Sequence, residues 1–199
     1  MLVQQAELPY NLACRAPIKE NKGMRTTMPE QTLRAIQVHR HGGSEELKLK
    51  EKPRPQPSAG EVLLRVHAAG VNPIGWKIRQ GLPKNFQPIL FPSTPGIEVA
   101  GVIEEIGPGV TTFKVGQAVP GQVTIGAYAE YLSISVEALA LKPERLSFVE
   151  AASIPVGATT AWRVLSDHRN LMAGQWVLII GDAGGGTRNN GGFLNERRA

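Results

Sequence analysis

Short apolar segments separated by glycine and proline turns run through most of this chain, and they constrain its fold more than any other feature. They begin at Leu33, recur at near-regular spacing as far as Lys142, and several are rich in β-branched residues. Such segments predict β-strands, and a regular series of them predicts a barrel or a sandwich. The predicted strand segments are 33–38, 47–49, 61–70, 99–106, 118–123, 127–134 and 138–142. This part of the chain is therefore expected to be mainly β.

The pattern changes at Ser147, where helical signals replace strand signals. Ser147 and Glu150 have the spacing of a capping box, in which the two residues cap each other's backbone amides at a helix start. A second helical stretch follows Pro155. Its periodicity places four residues on one face: Ala158, Ala161, Trp162 and Leu165. We expect a change of domain near residue 145.

A glycine-rich loop follows the next apolar segment. Residues 176–180 form a continuous apolar run, which is typical of a buried parallel strand. Glycines after such a strand let the backbone approach a pyrophosphate, and the amides of a following helix bind it. Gly181, Gly184 and Gly185 are therefore candidate cofactor-binding residues, with a plain turn as the alternative.

The basic charge lies at the two ends of the chain. Of the net charge of +5, residues 1–27 and 188–199 each contribute +2, which leaves the body nearly neutral at +1. A nucleic-acid-binding protein concentrates basic residues on a folded face. We therefore expect no nucleic-acid partner, a flexible leader at residues 1–31 and an unpatterned tail at 188–199.

Cysteine and histidine content argue against a metal site. Cys14 is the only cysteine, so an internal disulfide and a cysteine-rich zinc cluster are both excluded. A catalytic zinc takes about three protein ligands, and no third ligand accompanies His39 and His41, which we expect at the surface. His67 and His168 are isolated and are interpreted as structural.

The sequence carries no membrane-span or secretory signal, and a weak transit peptide in the leader is the open alternative. No apolar run reaches the roughly 18 residues of a membrane span, and residues 1–27 lack the apolar block of a secretory signal. We expect a cytoplasmic protein with no membrane partner.

Several motifs in order resemble one family. Gly96-Ile97-Glu98 resembles the Gly-His-Glu segment of medium-chain dehydrogenases/reductases, with Ile97 where zinc enzymes place a histidine ligand. The run Asn-Pro-Ile-Gly-Trp-Lys-Ile-Arg at 72–79 is similar to Asn-Pro-Val-Asp-Trp-Lys-Ile-Arg of the zinc-independent, NADP-dependent branch related to quinone oxidoreductases. Residues 126–131, 160–162 and 174–181 also resemble that branch, so the likeness covers roughly residues 31–186.

The resemblance implies a domain plan and an activity. It implies a GroES-like barrel at 32–146 and, at 147–187, the opening helix and first strand of a truncated Rossmann domain. The implied reaction is hydride transfer from NADPH to a quinone or another activated double bond, with the cofactor carrying the chemistry. No catalytic residue and no metal ligand is assigned, and a homodimer of the full-length protein is compatible with the family.

The resemblance also implies site residues. Asn72 and Lys77 would face the nicotinamide end of the cofactor, and Thr160 would contact it from the connecting helix. The alternatives are a turn residue for Asn72, a solvated cation for Lys77 and a hydroxyl bonded to its own helix for Thr160. The sequence departs from the family at Gly75, usually acidic, and at Thr187, usually glycine.

Three further side chains are interpreted as structural. Glu98 is expected to be a hydrogen-bond acceptor, since its usual metal-site neighbour is replaced by Ile97. Tyr128 and Tyr131 are expected to pack in the barrel.

The last residues bear on activity. A dinucleotide-binding fold needs about six parallel strands, and this sequence predicts one. A frame shift or mispredicted splice near Gly186 would explain an unpatterned end. We expect the 199-residue chain to hold NADPH weakly and to be nearly inactive. The alternative function is a non-enzymatic GroES-like barrel that acts as a binding module.

Overall fold

The computed structural model describes residues 31–82 and 89–167, together with Met172, Gln175, Trp176 and Leu178. Its strands are β1 (Thr32–Gln37), β2 (Lys48–Pro53), β3 (Glu61–Ala69), β4 (Glu98–Ile106), β5 (Ala118–Gln122) and β6 (Tyr131–Ser135). Its helices are α1 (Pro73–Arg79), α2 (Phe148–Ala152) and α3 (Pro155–Trp162), which continues into a π-helical turn at Arg163–Asp167. Two 3₁₀ turns lie at Ser44–Glu46 and Val136–Ala138.

The strands form two antiparallel sheets. The smaller sheet pairs β1 with β2, and the larger has the order β5-β4-β3-β6. Strand β1 also bonds the segment before β6, because the Ile36 amide donates to the Tyr128 carbonyl at 2.8 Å and the Glu130 amide donates to the Arg34 carbonyl at 3.0 Å. These bonds hold the smaller sheet against the larger one, as in a barrel.

The main core lies within the larger sheet. Period-two alternation places one set of side chains on its inner face, and its fully buried members are Val62, Leu64, Val99, Ile103 and Val119. A second cluster joins helix α2 to the sheet through Ala100, Ala151 and Ala152. The small alanines let the helix lie close to β4.

The mainly β prediction is confirmed, with two corrections near its end. The predicted strand 127–134 shrinks to β6, and the predicted strand 138–142 is wrong, because only a single bridge pairs Leu139 with Gly121. The Ala140 amide donates to the Pro120 carbonyl at 3.1 Å. Pro120 has no amide to donate in return, so the ladder cannot be completed.

The helical predictions hold with shifted bounds. Helix α1 begins at Pro73, because a missing amide costs nothing in the first turn of a helix. The capping box is confirmed: the Ser147 amide donates to Glu150 Oε2 at 2.8 Å, and the Glu150 amide donates to Ser147 Oγ at 3.2 Å.

Some predictions fall beyond the described ranges. The glycine loop with Gly181, Gly184 and Gly185 lies outside the described residues, and so does most of the predicted strand 176–180. The expected domain limits therefore stay predictions. Across the described part of the chain, no helix has both the length and the apolar character needed to cross a bilayer.

Candidate functional site

A buried carboxylate lies where the barrel meets helix α3. Glu98 opens strand β4 and is only 4% exposed. Its Oε1 accepts a hydrogen bond from Asn72 Nδ2 at 2.7 Å, and its Oε2 accepts one from the Val156 amide at 2.9 Å. A buried carboxylate is costly unless its oxygens are hydrogen-bonded, and here each oxygen has a donor. The expectation that Glu98 is a structural acceptor is confirmed.

The Asn72 side chain is drawn away from its own helix. Asn72 occupies the N-cap position of α1, where an asparagine oxygen normally accepts from an amide of the first turn. That bond is not formed, and the side-chain nitrogen instead donates to Glu98. No described residue donates to Asn72 Oδ1, which leaves this oxygen as a free acceptor within the described part of the chain.

Thr160 is connected to the same carboxylate through the helix backbone. Its hydroxyl donates to the Val156 carbonyl at 2.7 Å, which is the local bond of the alternative interpretation. The Val156 amide in turn donates to Glu98. The structure thus brings Asn72 and Thr160 into one hydrogen-bonded path, Asn72–Glu98–Val156–Thr160.

Lys77 is not part of this path. Its side chain is exposed, and Nζ lies 5.7 Å from the centroid of the Trp76 ring, within cation–π range. Among the described residues, no hydrogen bond or ion pair connects Lys77 to Glu98 or Asn72. The solvated-cation alternative is the simpler account of its position.

A tyrosine is connected to Glu98 through Gly70. Tyr128 donates from its hydroxyl to the Gly70 carbonyl at 3.3 Å, and Gly70 donates from its amide to the Glu98 carbonyl at 3.1 Å. Burial raises the pKa of Tyr128, and the negative charge of Glu98 adds to that rise. The phenol is therefore neutral near pH 7, which fits its expected packing role. Tyr131 packs under the Arg54 guanidinium, 4.5 Å from the ring centroid.

Ile97 lies in an apolar environment. Its side chain lines a small cavity of about 30 Å³ together with Ile78, Phe91 and Ile125. The described ranges contain no group of three or more metal-binding side chains that could hold an ion.

Three histidines lie in the described ranges. His39 and His41 are exposed. His41 Nδ1 lies 3.2 Å from the Arg79 carbonyl, and His67 stacks on Phe148 at 4.3 Å between ring centroids. These contacts agree with surface and structural roles for His41 and His67.

An open cleft of about 550 Å³ adjoins the start of α3. It is bordered by residues 120–124 and 137–140 and by Pro155 and Thr159. The Thr159 hydroxyl lies 3.1 Å from Gln122 Oε1 and 2.7 Å from the Pro155 carbonyl. The first turn of α3 therefore faces both the cleft and, through Val156, the Glu98 carboxylate.

The motifs in the sequence do not show how these residues combine. Asn72, Glu98 and Thr160 belong to separate motifs, and no motif points to the Val156 amide or to the role of Gly70. Strands β3 and β4 pair Ala69 with Val99, so Gly70 and Glu98 are the next pair along the ladder. Sequence periodicity does not give that register.

Comparison with known proteins places this fold in a family. Residues 58–144 match the alcohol dehydrogenase GroES-like domain. Human quinone oxidoreductase is 40% identical over 158 residues, which cover 78% of this chain and 47% of the relative. The chain belongs to the medium-chain dehydrogenase/reductase superfamily. This confirms the resemblance seen in the motifs.

Solved structures of medium-chain dehydrogenases/reductases agree with the fold. The human synaptic vesicle membrane protein VAT-1 homolog-like protein superposes with a TM-score of 0.77 at 33% identity, covering 83% of this chain and 53% of that one. A mycobacterial protein complexed with NADPH gives a TM-score of 0.71 at 34% identity, covering 79% and 48%. The chain spans about half the length of the curated relatives it matches.

Proposed function

We propose that this chain is the barrel part of an NADPH-dependent oxidoreductase that acts on a quinone or another activated double bond. The observation that carries the proposal is the path Asn72–Glu98–Val156–Thr160, which joins the barrel and helix α3 residues expected at the cofactor. Its support is the 40% identity to a quinone oxidoreductase and the likeness to a protein complexed with NADPH. A small-molecule substrate and a cytoplasmic location are parts of the same proposal.

The residues present fit a nicotinamide cofactor. Asn72 offers an amide oxygen to which no described residue donates, and a carboxamide N–H is a suitable donor for it. NADPH, when bound, supplies the hydride, so the protein's task is to position the reactants and exclude water.

The negative charge that develops on the substrate oxygen needs a hydrogen-bond donor to stabilise it. At position 97 an isoleucine has no ligand atom for a metal, so hydrogen bonds would have to stabilise that oxygen. One N–H of Asn72 is already given to Glu98, and the second remains for the substrate side. We propose this second N–H, or the cofactor ribose, as the donor.

A chimera tests the proposal. Residues 31–167 of this chain would replace the matching part of human quinone oxidoreductase, and NADPH consumption with 1,4-benzoquinone would be followed by absorbance. We expect the chimera to be active and Thr160→Val in it to raise the KM for NADPH several-fold. The matched control, Thr111→Val, changes a threonine in the turn after β4 and should leave the KM unchanged.

The 199-residue chain alone is the second arm of the test. Since a dinucleotide-binding fold needs about six parallel strands, we expect little quenching of Trp76 and Trp162 fluorescence by NADPH and little consumption of it. Rapid consumption by this chain would contradict that expectation. A folded chimera that neither binds nor consumes NADPH would reject the proposed function and favour the non-enzymatic binding module.

A further inference from the structure

The orientation of the Asn72 side-chain amide is set by the Glu98 carboxylate that it contacts. A carboxylate oxygen accepts hydrogen bonds and donates none, so only the nitrogen end of an amide can lie 2.7 Å from Glu98 Oε1. The oxygen end, Oδ1, is therefore turned away from Glu98. An asparagine with no such neighbour can present either end by rotating its amide.

The close approach of Glu98 depends on a missing side chain. A Cβ at Gly70 would lie 2.2 Å from Glu98 Oε1 and 2.6 Å from its Cδ. Only glycine at this position leaves room for the carboxylate beside the end of β3. The Glu98 carboxylate thus occupies the space that a side chain at position 70 would fill.

The second carboxylate oxygen holds another element. Glu98 Oε2 accepts from the Val156 amide in the first turn of α3, at 2.9 Å, and such an amide has no partner inside its own helix. Ile154, at the N-cap of α3, gives no side-chain cap. Glu98, which lies on strand β4, therefore takes the place of a local N-cap side chain. It fixes the start of α3 relative to Asn72.

We infer that Glu98 is a positioning residue: its carboxylate leaves the Asn72 oxygen for a hydrogen-bond donor of the ligand and holds the start of α3 in place. The ligand group suited to that oxygen is a carboxamide N–H. Taking that carboxamide as the nicotinamide one rests on the proposed function, whereas the role of Glu98 does not.

A swap of donor and acceptor tests this role in the full 199-residue chain. In Glu98→Gln, the new amide oxygen accepts from Val156, and the new NH₂ group can bond Asn72 only if the Asn72 amide rotates and presents Oδ1 to it. In Glu98→Leu, neither Asn72 nor Val156 has a partner at position 98. In Asn72→Asp, two carboxylates face each other. In the double variant N72D/E98Q, the new amide at position 98 donates through its nitrogen to the new carboxylate at position 72. Its oxygen accepts from Val156, so both hydrogen bonds return.

Glu104→Gln is the matched control, because Glu104 lies on the same strand and contacts Arg54 and Arg65 instead.

Two NMR measurements report the result. Hydrogen exchange at the Val156 amide should be roughly tenfold faster or more in E98L, and it should stay near the wild-type rate in E98Q and in the double variant, which keep an acceptor at position 98. The Asn72 side-chain NH₂ resonances should move in E98Q and stay in place in E104Q. A general loss of stability would not move that one pair of resonances selectively.

Opposite results overturn the inference. Wild-type exchange at Val156 in E98L would show that Glu98 does not hold the start of α3, and unmoved Asn72 NH₂ resonances in E98Q would show that it does not orient Asn72. Either result rejects the inference. If E98L or E98Q does not fold, thermal melting of N72D and N72D/E98Q decides: the double variant must melt higher than N72D, and an equal or lower melting temperature rejects the contact. Failure of the chimera to bind NADPH would reject the proposed function and leave these results standing.

Discussion

Gly70 shows how much one residue without a side chain can decide. It follows β3 beside the start of β4, its amide donates to the Glu98 carbonyl, and its carbonyl accepts from the Tyr128 hydroxyl. A glycine in a strand often marks a close approach of other atoms. Here the approaching atoms are those of a buried carboxylate.

Gly70→Ala is expected to destabilise the protein by roughly 1–3 kcal/mol, because the new Cβ overlaps Glu98 and the core must shift. The measurement is the free energy of unfolding from urea denaturation. Gly75→Ala is the matched control: it lies in α1 with nothing within 4 Å of the added Cβ, and it should stabilise by about 0.5–1 kcal/mol. Equal effects of the two substitutions would contradict the close contact.

Asn72 marks the limit of prediction for single residues. The sequence motif identified it as a site residue, and a turn role was the alternative. The structure shows that its nitrogen donates to Glu98, 26 residues along the chain. Local sequence cannot show which end of an amide is used, because the partner comes from another strand.

At the level of elements, short helices depend on their ends. Helix α2 has five residues, too few to be stable alone. It is fixed by its capping box and by Ala151 and Ala152, which pack on Ala100. The box was predictable because its residues are three apart, whereas the packing partner was not.

Ser147→Ala is expected to cost about 1 kcal/mol of stability, because the Glu150 amide loses its acceptor at the helix start. Urea denaturation measures the cost. Ser58→Ala serves as control, since Ser58 is exposed and its side chain makes no hydrogen bond to any described residue. A loss in Ser58→Ala as large as in Ser147→Ala would show that the cap contributes nothing specific.

Over the whole molecule, the two sheets are connected by an arginine as well as by backbone bonds. Arg54 follows β2, donates to Glu105 at 2.7 Å and to Glu104 at 3.2 Å, and covers the Tyr131 ring. Its side chain is only 15% exposed. These contacts join the smaller sheet to strands β4 and β6.

The core of the larger sheet should carry most of the stability. Ile103 is 1% exposed, and Ile103→Ala is expected to cost about 2–5 kcal/mol through lost contacts and a cavity. Leu90 is 87% exposed, and Leu90→Ala should change stability by less than about 0.5 kcal/mol. Calorimetric melting of both variants measures the difference, and a small effect at Ile103 would contradict the described core.

The sequence by itself determined the mainly β character, most strand positions, the capping box at Ser147 and the family, because each depends on residues close together in the chain. Tertiary structure decided the bonds of Glu98, the orientation of Asn72 and the clearance at Gly70. These depend on the β3–β4 register and on where α3 begins. Both are fixed by packing between distant segments, which local periodicity does not encode.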